Sequence, residues 1–280
     1  MQLIVIRHAQ SSNNSLQESA ECSTRAYFEK MRSHDAPLSK LGEDQIGELA
    51  SGVERAFRKP LSHKIRAVRK KSADTFCPRV RVAVSPMQRA LLTAVPVIKA
   101  VEGLHSSENV KFDGIDVVPY IHEVGGCYNE MDGRFVGFPG LDIEGVRAII
   151  PKAIVCESMA QGWWKSSTRE TEEELEARIT QTIEWIRLCA WKNEVDVLIL
   201  VTHQDFACNV MRRLVQAPGL NWLYNTSLSS LTLEPILDSW NGDSEALPET
   251  SDSTLAGVHH CRVTIDWLNS IDHLSAHNIS

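Results

Sequence analysis

The chain has 280 residues, 43% of them hydrophobic and 23% charged, with a formal net charge of −7; this is the make-up of a water-soluble globular protein. The acidic balance argues against a general nucleic-acid binder. Seven cysteines, odd in number and without a C-x-x-C pair, form neither a disulfide framework nor a zinc site and point to a reducing compartment. The apolar run at the start is too short for a secretory signal, and no stretch reaches the length of a membrane span. A cytoplasmic protein without membrane contact is expected.

The first element is a strand, Leu3–Ile6, apolar and rich in β-branched residues, which runs straight into Arg7 and His8. A buried strand needs no Arg-His at its tip in order to fold, so an anion is the natural partner. The polar stretch Ser12–Pro37 follows and reads as an insertion, helical in its second half (TRAYFEKMR). Ile46, Leu49, Ala50, Val53 and Phe57 then share one helix face. Ten of the 29 basic residues fall between Arg55 and Arg81, densest in HKIRAVRKK. The plain reading of that run is a solvated face; the sharper one is a docking patch for an acidic partner or a funnel for anions.

A second strand, Val80–Val84, leads through Ser85 to Arg89 in the first turn of a helix. A third, Ile115–Ile121, delivers His122 and Glu123 into a glycine turn. The region 125–165 is rich in glycine and aromatics, lacks clear periodicity, and is long enough for a lid. Within it Trp163 and Trp164 read as packing residues; stacking on a substrate ring, with Lys165 on a second anion, is the alternative. Leu175, Ile179, Ile183 and Ile186 share a helix face, and TRETEEE puts carboxylates at its positive end. The fourth strand, Val197–Val201, delivers His203 and Gln204 to the start of a further helix. Strands at Leu228–Leu233 and Arg262–Leu268 complete the pattern, separated by a loop-like insertion, 238–256. Alternating strands and helices give an α/β class: three layers, with helices flanking a six-stranded, mostly parallel sheet in one domain, 1–280.

Four strand tips therefore offer Arg-His, Arg, Glu and His at the edge where α/β sheets bind ligands. Singly, each has an ordinary structural explanation: SPMQRA is good capping chemistry, and a glutamate before Gly-Gly is commonly a solvated loop residue. Their order and their strand–turn–helix contexts are more telling. RHAQS, LSKLGEDQ, SPMQRALLTA, the Glu123 turn, VTHQDF and NTSLSSLTL together resemble the histidine phosphatase superfamily, whose fold is that of phosphoglycerate mutase.

The resemblance implies a nucleophile at His8, with Arg7, Arg89 and His203 holding the phosphoryl group, Asn14 near the phosphate, and Glu123 as proton donor. Glu130 is close enough in sequence to compete with Glu123. It implies a phosphomonoester hydrolase working through a phosphohistidine, on a small phosphorylated substrate or a phosphoprotein, with no metal and no cofactor. Two alternatives stand beside it: a cofactor-dependent phosphoglycerate mutase, and an inactive phosphate-binding interaction module. The mutase pattern carries Arg-His-Tyr-Gly after its glutamate, whereas this chain has the uncharged Val124-Gly125-Gly126-Cys127; Arg134 or Lys165 would have to fold back to replace that charge. Ala9 and Gln204 stand where the family has glycine. If the Gln204 backbone is left-handed, it costs about 1–2 kcal/mol; its N–H can still face the phosphate at the helix start.

Overall fold

The computed structural model describes residues 1–58, 77–107, 110–236 and 260–280. The insertion 238–256 and the dense centre of the basic run 55–81 lie outside the described residues. The strands of the main sheet are β1 (Gln2–Arg7), β2 (Arg79–Val84), β3 (Lys111–Val117), β6 (Ile154–Val155), β7 (Val197–Thr202), β8 (Leu228–Pro235) and β9 (Cys261–Ser270). A separate hairpin pairs β4 (Tyr128–Met131) with β5 (Arg134–Gly137). The helices are α1 (Ser12–Glu18), α2 (Arg25–Met31), α3 (Lys40–Arg58), α4 (Gln88–Ser107), α5 (Ile143–Ile149), α6 (Glu172–Lys192) and α7 (Gln204–Val215).

The sheet order is β6-β3-β2-β7-β1-β8-β9. The pairs from β6 through β1 are parallel, while β8 and β9 close one side antiparallel. Seven strands stand where six were expected; the added one is the two-residue edge β6, too short to register as a periodic run. The third strand also stops earlier than its apolar composition implied. It ends at Val117, because Pro119 cannot donate to a ladder and opens a 3-10 turn over Pro119–Ile121.

Alternation along β1 sorts its residues between two cores. Ile4 and Ile6 pack with Leu49 and Val53 of α3 and Leu91 and Val101 of α4. Leu3 and Val5 pack on the opposite face with Ile179, Ile183 and Ile186 of α6 and Phe206 and Met211 of α7. Helices cover both faces, as the three-layer reading anticipates. The region 125–165, expected as a lid, has anchors in the fold: Val146, Met159 and Trp163 belong to the first core, and β6 joins the main sheet. Among the described residues no helix is long and apolar enough to cross a membrane.

The LSKLGEDQ stretch fixes the loop that follows β1. Gln45 is fully buried; its Oε1 accepts from Gln10 N at 2.8 Å, and its Nε2 donates to Asn278 O and Ser280 Oγ, both at 2.9 Å. Gly42 lets the helix start approach that loop: a Cβ there would lie 2.0 Å from the Gln10 carbonyl oxygen. Gly42→Ala is therefore expected to destabilise the protein by about 1–3 kcal/mol through overpacking. The sub-kilocalorie propensity gain of alanine in a helix does not offset a clash with backbone. A urea unfolding midpoint at or above that of the wild type would show that the loop yields freely.

Candidate active site

Parallel pairing puts the carboxyl ends of β1, β2, β3 and β7 on one edge, with Arg7 opposite Thr202 and Val84 opposite Val201. A cavity of about 300 Å³ opens there, and Arg7, His8, Asn14, Arg89, Glu123 and Gln204 all line it. His203 stands against His8, with ring centroids 5.0 Å apart. The seven candidate residues, drawn from four strand tips and an inserted helix, thus converge. Glu130 does not join them; it sits on β4 opposite Phe135.

Local hydrogen bonds hold these tips in register with one another. Thr93 Oγ1 accepts from Ala9 N at 3.0 Å and donates to Arg89 O at 2.6 Å, which ties the His8 loop to α4. Asn225 Nδ2 donates to His8 O at 2.8 Å, and Thr226 N to Arg7 O at 3.1 Å. These contacts give the NTS stretch of the sequence its place.

His8 is almost fully buried. Its Nδ1 lies 2.6 Å from the Ala9 carbonyl oxygen; a carbonyl can only accept, so Nδ1 carries the proton and Nε2 the lone pair. Arg89 Nε donates to that Nε2 at 3.2 Å. Burial, then the charges of Arg89 and Arg7, hold the imidazole well below its usual range and keep it neutral. Arg7 is brought down to about 10 by burial, and burial also lowers Arg89. Arg7 Nη1 donates to Leu223 O at 2.5 Å, and its guanidinium lies 5.5 Å from the Trp222 ring centroid. Among the described residues, Arg7 Nε and Arg89 Nη1 are buried without a hydrogen-bond partner, as is His203 Nδ1. Unpaired charged donors in a low-dielectric pocket are costly, and an oxyanion would satisfy them.

Glu123 is held by its own turn and by the start of α7. Its Oε1 accepts from Val124 N at 2.8 Å and Phe206 N at 3.1 Å, and Asp205 N lies 3.4 Å from Oε2. Burial and the neighbouring Asp205 charge nevertheless raise its pKa, which favours the protonated carboxyl. A buried ion pair brackets this turn. Arg178 binds Glu170 bidentately at 2.6 and 2.7 Å and donates to Tyr120 O and His122 O at 3.1 and 2.8 Å. Glu170 in turn accepts from Gly125 N at 3.1 Å and donates its own N–H to Gly125 O. Gly125 and Gly126 both have positive φ, and a Cβ on Gly126 would lie 2.4 Å from the Trp164 ring.

Other expectations resolve plainly. Gln204 is the first residue of α7 and is not among the residues with positive φ, so the strain that a left-handed backbone would have imposed is absent. Asn14 spends its Oδ1 on the capping box of α1, accepting from Ser11 N and Oγ, which leaves its donating amide for a ligand. Trp163 and Trp164 pack edge to face with each other and against His122, outside the pocket lining. Lys165 donates to Gly162 O at 2.7 Å, and neither it nor Arg134 reaches the pocket. The sequence reading missed Asp35, Arg25 and Arg32 of the inserted segment, which carry no motif. It also missed the Glu170–Arg178 pair, for which the TRETEEELEAR run gave the spacing but not the partner.

No protein-family model matches the chain, and no curated protein matches it. Its layout is similar to that of several solved structures. A mycobacterial glucosyl-3-phosphoglycerate phosphatase complexed with VO3 is 18% identical, covers 96% of this chain and 98% of its own, and gives a TM-score of 0.44. An Entamoeba histolytica phosphoserine phosphatase mutant in complex with phosphoserine is 17% identical, covering 98% and 99%, with a TM-score of 0.42. A protein titled mycobacterial hydrolase 1 is 17% identical, covering 96% and 98%, with a TM-score of 0.47.

Asp35, behind Arg89, carries a measurable signature. It accepts from Gln88 N at 2.9 Å at the start of α4 and lies 4.0 Å from Arg89 Nη1. Burial raises its pKa from 3.8 to about 6 despite that arginine. Between those values the folded state binds more protons than the unfolded chain, so stability falls as pH rises through the window. The accumulated cost above it is about 3 kcal/mol. Asn can still cap α4, so Asp35→Asn should remove this fall and gain stability relative to wild type above about pH 6. Urea unfolding of both proteins across the window checks this; parallel pH profiles would contradict it.

Proposed function

We propose that the protein is a phosphomonoester hydrolase of the histidine phosphatase type, acting through a phosphohistidine on His8. The observation that carries the reading is the pairing of a neutral imidazole lone pair with two buried arginines whose donors lack acceptors. Phosphoryl transfer asks for little besides positioning and charge stabilisation, and this pocket is built for those. The family resemblance of the strand-tip motifs points the same way.

In this reading the ester's phosphoryl group sits between Arg7 and Arg89, with Asn14, His203 and the Gln204 end of α7 completing its contacts. The lone pair of His8 Nε2 attacks phosphorus in line, and the bond from phosphorus to the ester oxygen breaks. The departing oxygen takes a proton from Glu123. Glu123, now a carboxylate, draws a proton from a water that attacks the phosphohistidine; the P–N bond breaks, phosphate leaves and His8 is regenerated. The arginines supply the positive charge, so no divalent metal is required.

Several observations separate the readings. The 124–127 turn holds no cation, which speaks for hydrolysis over isomerisation of a phosphoglycerate. Arg25 and Arg32 of the inserted segment do line the pocket, and they are the specific observation that favours the mutase. Phosphate released faster than 3-phosphoglycerate is isomerised in a primed assay decides for the hydrolase; the reverse decides for the mutase.

His8→Ala should reduce turnover to background, and rapid quench of the wild type with labelled substrate should leave acid-labile, base-stable phosphate on His8. Turnover should persist in chelator. Label that survives acid, or activity that needs added magnesium or zinc, would argue for another mechanism. Glu123→Gln should slow alkyl phosphates by about 10²-fold or more, yet slow p-nitrophenyl phosphate far less, because that leaving group departs unaided. Equal losses on both, or the selective loss appearing in Glu130→Gln, would move the acid elsewhere.

A further inference from the structure

The second half of the inserted segment, α2 and the residue after it, lines the pocket with side chains that have no part in the chemistry above. Arg32, the residue after α2, lines the cavity with its side chain 9% exposed. Its guanidinium carbon lies 4.1 Å from the Tyr128 ring centroid and 5.9 Å from that of Phe28. Aromatic contacts of this kind engage the faces of a guanidinium and leave its N–H groups, which lie in the plane, unspent.

Among the described residues Arg32 makes no side-chain hydrogen bond, and its Nε is buried without a partner. Its Nη1 forms an ion pair with Glu29 at 3.6 Å, beyond hydrogen-bond reach. Glu29 is itself engaged, ion-paired with Arg25 and accepting from the Tyr128 hydroxyl at 3.1 Å. Arg25, 62% exposed, also lines the pocket. One carboxylate therefore faces two arginines. The Glu29 ion pair and the Tyr128 and Phe28 rings hold Arg32 in place, yet its buried Nε still lacks an acceptor, which costs free energy in the free protein. On the Glu123 side, Lys165, Arg134 and Arg169 do not line the cavity.

We propose that Arg32, assisted by Arg25, is a second oxyanion subsite, and that the substrate is a small phosphomonoester carrying a further anionic group. Carboxylate and phosphate share the required chemistry: in-plane acceptors for a stacked guanidinium fork. The proposal rests on the reading that Arg7, His8 and Arg89 receive the transferred phosphoryl group.

Calorimetric binding of matched, non-hydrolysable ligands tests it without turnover. Propyl phosphonate supplies the first anion alone, phosphonopropionate adds a carboxylate, and ethylene bisphosphonate adds a second phosphonate. At least one dianchored ligand should bind wild type roughly 10- to 100-fold more tightly than propyl phosphonate, and comparison of the two tells which anion is preferred. That ratio should collapse towards one in Arg32→Met, which keeps the stem against Tyr128, and fall part-way in Arg32→Lys. The propyl phosphonate arm in each variant reports whether the pocket is still formed. Should Arg32→Met fail to fold, the Arg32→Lys ratio carries the test. Equal affinities in wild type, binding of none of the ligands, or a ratio that survives both substitutions overturns the proposal. Failure of the phosphatase reading shows separately, as selective phosphonate binding without His8-dependent cleavage of p-nitrophenyl phosphate.

Discussion

Two guanidinium groups held nearly out of water, each with a donor left unmatched, are the constraint around which this protein is arranged. Arg7 and Arg89 are 4% and 6% exposed, a burial that charged side chains accept only when something opposite in charge is to meet them. Their placement demands neighbouring strand tips, and parallel β1, β2 and β7 supply these by ending on one edge. It also demands that the chain around them cannot relax. The Thr93, Asn225 and Gln45 hydrogen bonds meet that need, because each fixes backbone within two residues of His8. The neutrality of His8 follows from the same burial. An imidazole beside fixed cations keeps its lone pair because protonation there would add a third charge to a low-dielectric site.

The Glu123 turn depends on a second, independent restraint. The Glu170–Arg178 pair does not touch the pocket's arginines; it grips the carbonyls before Glu123 and the backbone of Gly125 after it. The carboxyl is thereby set against α7 while remaining hard to ionise. A buried bidentate pair of this kind contributes little net stability over an apolar replacement; its value here is geometric, in presenting one side chain at one angle.

Much of this was legible from strand tips. RHAQS, SPMQRA, HEVGG and VTHQDF combine an apolar run with a charged or titratable end, and that juxtaposition survives folding because strands in a parallel sheet end together. The seven-strand count was less legible, since a two-residue edge strand has no period to detect. The strain anticipated at Gln204 did not materialise: His203 takes the extended cap conformation, so the next residue enters the helix with ordinary backbone. The second-anion wall could not be read at all. Arg25 and Arg32 lie in a polar stretch of no distinctive pattern, and only packing of α2 against the β4–β5 hairpin brings them to the cavity. Aromatic contacts such as Tyr128 with Arg32 span about a hundred positions of sequence and leave no local trace.

The two glycines after Glu123 have a consequence for how this protein can change over generations. Gly125 and Gly126 sit in left-handed backbone with Tyr128 and Trp164 close against them, so almost any replacement there disturbs the placement of Glu123. Selection for a new substrate therefore has little freedom on that side of the pocket. On the opposite side, α2 lies outside the main sheet, and its surface residues can vary with less cost to the core. On the proposed reading, the phosphoryl chemistry rests on the strand tips and the second anion on α2, so a lineage can retune the second while leaving the first alone.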